Sequence, residues 1–378
     1  MRHIKYTNGI VLSDSALKNA IVPVRKCAVA STPNCIEART LFTRLDVVIP
    51  VFNSAGWVAG CIDSVRTAFT QAGLSEYTIV VVDDGSSDNL DEVLQSISNE
   101  KISLIRQSNQ GRSAARLAGA RSSNASHVLF IDSRVRIEAN SIAFVLPYLA
   151  NESSSTWTSD VHVEVKGNDL ARFWMVIERV FWRKYYRRRV LTHFGEDDFD
   201  RYPKGTTALI VQRELFMEAT LQSRSQISNE RKANDDTAIL RHIVRTQQIW
   251  ISPDYSCVYH ARTKFRGFLA HANHRGSVLI DGHWRRGALL CIPITISLFL
   301  FPVLMVVIGL FPLQAVASFP IFVAGCTLLV KSFKVDLRSA IVFSLIAPLF
   351  ALWYFGGMLY GVYLRLKAIW GHVGERNY

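Results

Sequence analysis

The carboxylates of this chain fall where apolar runs end, and that placement gives them chemistry. Val80-Val81-Val82 runs into Asp83-Asp84-Gly85-Ser86-Ser87-Asp88, and Val128-Leu129-Phe130-Ile131 runs into Asp132-Ser133-Arg134. A third group, Asn234-Asp235-Asp236, precedes the apolar pair Ile239-Leu240. Acids at the carboxyl edge of a parallel sheet lie where open α/β folds take their ligands. There they can hold ribose hydroxyls, a base N–H, or a metal ion bridging phosphates. An acid of the third group can act as a general base. Each group also has a plainer use, because Asp and Ser satisfy the free amides of turns and helix N-termini. Asp83-Asp84 then reads as a capped turn, and Asp235-Asp236 as the N-cap of a helix over 237–246.

Such edges require strands and helices in alternation, and the sequence supplies them. Strands are expected over 46–51, 78–82, 102–106 and 127–131, with helices near 56–72, 90–98 and 113–122 between them. Short loops between successive βα units predict a doubly wound, mostly parallel sheet with right-handed crossovers. No Gly-x-Gly-x-x-Gly follows the first strand, which argues against a dinucleotide-binding oxidoreductase.

The strands Asp46–Asn53 and Val80–Asp88 resemble the nucleotide-binding half of the family 2 inverting glycosyltransferases, and the resemblance extends over roughly residues 44–280. It implies a GT-A fold and a nucleotide-sugar donor. Pro50 and Phe52 then wall the base site, with Asn53 and Gly85 beside it and Asp83 or Asp84 on the base itself. Asn109-Gln110-Gly111-Arg112, with Ala114, Ala115, Arg116 and Gly119, looks like the family's helix below the diphosphate, where Arg112 or Arg116 meets phosphate. Asn234-Asp235-Asp236 resembles the motif that supplies the catalytic base; its spacing to Ile239-Leu240 aligns Asp236 with the base and Asp235 with the preceding acid. Lys204-Gly205-Thr206 resembles the loop flanking the acceptor site, and His260 stands where a His sometimes contacts metal or diphosphate.

One departure concerns the metal. The family usually carries Asp-x-Asp after the fourth strand, and here Arg134 stands in the second place after Asp132. An arginine cannot bind Mg²⁺ or Mn²⁺ but can neutralise a leaving diphosphate. Three readings follow: Arg134 replaces the ion, the ion survives on Asp132 with other ligands, or the site is degenerate. A divalent cation is therefore an open requirement. A second departure is the absence of Gln-x-x-Arg-Trp around His271, His274, Arg275 and Gly276. It points to transfer of a single sugar rather than polymer extrusion.

After residue 287 the chain is almost free of charge. Apolar segments over 288–311, 313–330 and 341–364 are each near the ~20 residues that span a hydrocarbon core. Arg285 and Arg286 before them, and Lys331, Lys334 and Arg338 between the second and third, place the preceding domain in the cytoplasm by the positive-inside rule. A third crossing sends Arg365, Lys367 and Arg376 outside, against that rule, and Gly356-Gly357 offers a place to turn back. Aromatics and arginines crowd residues 170–190, a pattern of an interfacial helix or of a core-facing helix with a solvated basic end.

The expected organisation is a basic extension (1–43), a GT-A domain (44–286, split into a nucleotide half 44–133 and an acceptor half 134–286), and a membrane region (287–378). A net charge of +12 suits an anionic partner, and the membrane segments favour anionic lipid over nucleic acid, for which no reading motif is present. The six cysteines form no CxxC pair, so neither zinc nor a disulfide framework is expected. The combined expectation is a membrane-anchored inverting glycosyltransferase of the bacterial inner membrane. It would move one sugar from a nucleotide-sugar to a lipid-linked or surface-glycan acceptor at the cytoplasmic face. The rival is a catalytically impaired GT-A-like scaffold subunit of a glycan-synthesis complex.

Overall fold

The computed structural model describes residues 44–97, 100–223, 235–284 and 290–374. The extension 1–43, Arg285, Arg286 and Arg376 lie outside the described residues. Eight strands form the central sheet. Its first half is built from the branched apolar runs β1 (Leu45–Val51), β2 (Ile79–Asp83), β3 (Ile102–Arg106) and β4 (His127–Ile131). They lie in the order β3-β2-β1-β4, all parallel. Val/Ile-rich strands with helices on both faces have no solvated side, which is why β1, β2 and β4 are buried along their whole length.

Beyond β4 the sheet changes direction. β9 (Ala208–Gln212) runs antiparallel to β4, and β6 (Trp157–Thr158), β10 (Ile249–Ile251) and β8 (Thr192–Phe194) complete the order β4-β9-β6-β10-β8. The doubly wound parallel pattern thus holds for β1 to β4 and gives way to a mixed one. β9 is not the end of a βα crossover from β4; it returns after an excursion of some 75 residues. A second sheet joins β5 (Val135–Ile137) and β7 (Asp160–Val163) of that excursion to β11 (Ser256–Tyr259), which follows β9, in the order β5-β11-β7.

Helices α1 (Ala55–Ala72), α2 (Leu90–Ile97) and α3 (Arg112–Ser122) fall where the sequence places them. Val58, Ile62, Val65 and Phe69 of α1 sit three or four residues apart and bury one stripe against the sheet. On α3, a side chain at Gly119 would collide with Val48, so glycine sets how closely this helix approaches β1.

The expected helix over 170–190 is two helices, α5 (Asp169–Phe181) and α6 (Arg183–Arg187), with α4 (Ser141–Leu149) preceding them. The break at Trp182 follows from an anchor: buried Asp160 accepts from the Tyr185 hydroxyl (2.9 Å) and pairs with Arg189, drawing this segment inward. The apolar face of α5 is covered, whereas Phe181, Arg183 and Lys184 are exposed. After α7 (Arg213–Gln222), α8 (Asp235–Ile243) and α9 (Phe265–His283), three helices are long and apolar enough to cross a membrane. They are α10 (Cys291–Leu310), α11 (Pro312–Lys331) and α12 (Leu337–Gly374). α12 runs without a break through Gly356-Gly357. Those glycines serve packing instead: a side chain at Gly357 would strike the Asn273 carbonyl, and one at Gly276 the Tyr354 carbonyl, so α9 and α12 lie backbone to backbone. Phe173 of α5 stacks on Phe343 and lies against Phe350 of the same helix.

Candidate functional site

The register of β1 on β2 pairs Pro50 with Val82 and Val51 with Asp83, which brings the two strand ends level. Pro50 is buried in the sheet, and Phe52 just beyond it is 50% exposed. The acids of the second strand end are both used to shape loops. Asp83 accepts from the Ser86 amide (2.8 Å). Asp84 accepts from the Gln107 side-chain amide (2.7 Å) and from the backbone amides of Gln110 (2.8 Å) and Gly111 (2.9 Å), fixing the start of α3. Gly85 has φ +79°, and a Cβ there would stand 2.9 Å from the Asn109 nitrogen. Asn53, also left-handed at φ 48°, accepts from the Ser87 amide (2.8 Å). Asp88 accepts from the Ala55 amide (2.8 Å) and so caps α1, whose own N-cap Ser54 makes no such bond. The capped-turn reading of this loop is therefore realised, and the two acids border a preshaped edge beside Phe52.

Arg116 joins the other two acidic groups. It is 1% exposed. One guanidinium nitrogen donates to Asp132 (2.8 Å) and the other to Asp236 (3.0 Å). Thr206 donates its hydroxyl to the same Asp236 oxygen (2.9 Å). Burial pushes the Asp236 carboxyl up, but Arg116 and Arg112, helped by the Thr206 hydroxyl and Arg275, outweigh it and hold the group below the usual carboxylate range. Asp236 is thus a carboxylate at neutral pH, able to accept a proton. The signal for Arg116 is its spacing: Arg112 and Arg116 stand one turn apart on α3 and face one way. The side chain of Asp235 lies outside the described residues.

Asp132, Asp236 and Arg112 line a cleft of about 170 Å³. Lys204 and Gly205 border it as well. The Lys204 ammonium is directed at the carbonyls of Phe199 and Tyr202 and lies over the Phe199 ring, and burial lowers its pKa to about 8. The Gly205 carbonyl accepts from Thr158 (3.2 Å). Across the cleft stand Trp174, Glu178, Trp182 and Tyr186 from α5 and α6, and Arg262, His271 and Arg275. Sequence reasoning left 170–190 as either an interfacial or a core-facing helix and missed its part in this wall. The alternation of aromatics with Glu178 was the available signal.

Arg134 and His260 lie elsewhere. Arg134 donates to the His260 carbonyl (3.0 Å) and its guanidinium covers the Trp57 ring at 4.6 Å. His260 stacks on Trp57 and pairs with Arg136 (2.7 Å). Burial, with Arg136, keeps its imidazole below its ordinary pKa. Neither side chain borders the cleft. A divalent ion fits the described residues poorly. No three His, Cys, Asp or Glu side chains among them cluster to hold one. One oxygen of Asp132 is already paired with the Arg116 guanidinium.

Comparison with known proteins gives one answer. The family described as Glycosyl transferase family 2 matches residues 46–202. "Glycosyltransferase GlyA" of Streptococcus pneumoniae is 35% identical over 97 residues, 25% of this chain and 13% of that protein. "Uncharacterized glycosyltransferase EpsJ" of Bacillus subtilis is 28% identical over 90 residues, 23% of this chain and 25% of that protein. The chain thus matches only a minor part of either relative's length. Among solved structures, Staphylococcus aureus TarS in complex with UDP superposes with a TM-score of 0.44 at 15% identity, covering 64% of this chain and 66% of that one. The mannosyltransferase PcManGT of Pyrobaculum calidifontis, in complex with GDP-Man and Mn²⁺, gives 0.45 at 14% identity, covering 66% and 69%.

Proposed function

Because the chain carries a glycosyl transferase family 2 domain over residues 46–202, we propose that it is a membrane-anchored inverting glycosyltransferase that moves one sugar from a nucleotide-sugar donor to a lipid-linked or surface-glycan acceptor. The observation that carries this reading is the single guanidinium of Arg116 gripping Asp132 and Asp236 at the edge of one cleft. Inversion is one displacement and needs one base. Asp236, ionised and held by two donors, takes the proton of the acceptor hydroxyl as that oxygen attacks the sugar. The donor's base and ribose lie along Phe52 and the loop shaped by Asp83 and Asp84. Arg112, at the first turn of α3, meets the leaving diphosphate with a fixed positive charge and a helix N-terminus.

Arg116 pairs with Asp132, and this favours transfer that needs no resident ion. The basic loop Lys331–Arg338 supports a cytoplasmic placement of the catalytic domain. The scaffold alternative draws on Arg134 in place of an acid. Release of nucleotide from a panel of nucleotide-sugars by the purified full chain, with and without chelator, tests both. Turnover of a donor that Asp236→Asn abolishes supports the enzyme, and a chain that binds nucleotide yet never turns over is the scaffold.

A further inference from the structure

Glu178 is a carboxyl group without a partner. Its side chain makes no hydrogen bond or ion pair among the described residues, yet it lines the same cleft as Asp236. Burial moves its pKa up to about 7, against the pull of Arg275. Arg275 is similarly under-used: it reaches His271 at 3.5 Å, lies over the Trp174 ring at 5.9 Å, and forms no carboxylate pair among the described residues. Beside them are Trp182 and Tyr186, both partly exposed to the cleft. Burial and the nearby Glu178 raise the Tyr186 hydroxyl's pKa, so it stays a donor.

We propose that Glu178, Arg275, Trp182 and Tyr186 form the acceptor subsite, and that its occupant is a sugar ring with vicinal hydroxyls. The inference rests on reading the cleft as the acceptor side of a glycosyltransferase. Its argument is one of chemical fit. A diol offers one hydroxyl that donates to Glu178 and a neighbour that accepts from Arg275. The indole and phenol rings cover the apolar C–H face of the ring, the usual plan of a small-molecule pocket with few placed polar groups. A phosphate would satisfy Arg275 but would have to force Glu178 to keep its proton, and a hydrocarbon would leave both polar groups unpaired. The acceptor's reacting unit is therefore a saccharide, and any lipid that carries it lies beyond this subsite.

The test uses the full chain in phospholipid nanodiscs, free of glycoside detergent. Saturation-transfer NMR is run with methyl glucoside, galactoside, mannoside and N-acetylglucosaminide, and UDP and GDP are titrated in parallel. At least one glycoside should bind wild type. Glu178→Ala and Trp182→Ala should weaken it about ten- to a hundredfold, as expected for losing a buried hydrogen bond or a stacked ring. Nucleotide affinity should be unchanged in both, which also reports that they fold. Glu178→Gln, whose amide oxygen still accepts, should recover part of the loss. Nucleotide binding with no glycoside bound, or glycoside binding indifferent to both alanine variants, overturns the subsite alone. Glycoside binding without any nucleotide binding leaves the subsite standing and removes the transferase reading.

Discussion

The two sides of the proposed reaction centre, donor and acceptor, are built to opposite plans. On the donor side, Asp83, Asp84, Asn53 and Asp88 each spend their oxygens on backbone amides of the loops around them. On the acceptor side, Glu178 and Arg275 face the cleft with no carboxylate–guanidinium pair among the described residues. The proposed donor edge is shaped by its own hydrogen bonds, because its polar groups hold one another. The cleft keeps its polar groups available, at the cost of shifting an acid's pKa. Arg116 stands on the boundary and ties one carboxylate from each side together.

The sharpest way to break this comparison is at the base. Asp236→Asn is expected to lower transfer by about 10²–10⁴-fold with nucleotide affinity little changed, read by steady-state turnover and calorimetry. Full turnover in this variant would remove Asp236 from the chemistry. Next in size is Arg116→Ala. It removes the guanidinium that Asp132 and Asp236 share next to a cavity, and loss of about 3–5 kcal/mol of stability is expected, measured by denaturant unfolding. A loss below 1 kcal/mol would mean that the boundary residue joins nothing of consequence.

A smaller effect is expected at Asp84→Ala, which orphans two backbone amides and the Gln107 side chain. Weakening of nucleotide binding by about 1–3 kcal/mol, checked by titration with UDP and GDP, would support a preshaped donor edge. Unchanged affinity would show that the loop keeps its form without the acid.

The cleft side has its own signature in pH. Glu178 binds its proton more tightly folded than unfolded, so wild-type stability falls as pH rises from its unfolded value of about 4.5 to about 7 and is level above that. Glu178→Gln removes the titration. Its stability relative to wild type should therefore be greater at pH 8 than at pH 5, by on the order of 1 kcal/mol, in thermal melts at the two pH values. An equal difference at both would mean that the group is not held protonated. The smallest change is expected from Arg134→Ala: it loses a contact to Trp57 worth about 0.5–1 kcal/mol, with turnover near wild type. A large loss of turnover would return Arg134 to the donor site.

How much of this was legible followed the range of the interactions. β3 and β4 fall on the expected residues, and α1 to α3 within one, because apolar period and short loops are local signals. The antiparallel entry of β9 was not legible, since a buried Val-Ile run reads the same in either direction. Asp83, Asp84, Asp132 and Asp236 stood out by their position at strand and helix ends. Their partners did not: Arg116 meets Asp236 across 120 residues of sequence, and Trp57 holds Arg134 by a contact that no motif encodes. Glu178 was hidden by its aromatic neighbours, which fitted an interfacial or a core-facing helix equally.

The contact between α9 and α12 bears on how the chain sits in a bilayer. From Arg338 to Arg365 the long helix is fastened to the preceding domain: Arg338 to Asp169 (3.1 Å), Ser339 to Arg172 (3.3 Å), the Trp353 carbonyl to Asn273 (3.3 Å), and Arg365 to the Trp284 carbonyl. Were this helix to drop through the hydrocarbon, α9 would be dragged in beside it, carrying Arg266, Arg275 and Asp281. Each such charge costs about 2.5–3.5 kcal/mol at the bilayer centre. The arrangement that avoids that cost leaves the α10–α11 hairpin to traverse, with α12 lying along the headgroups like a keel under the preceding domain. Arg365 and Lys367 then remain on the side of the cleft. Reporters placed after Arg338 and after Tyr378 should accordingly read the same side, and a split result would put the keel upright.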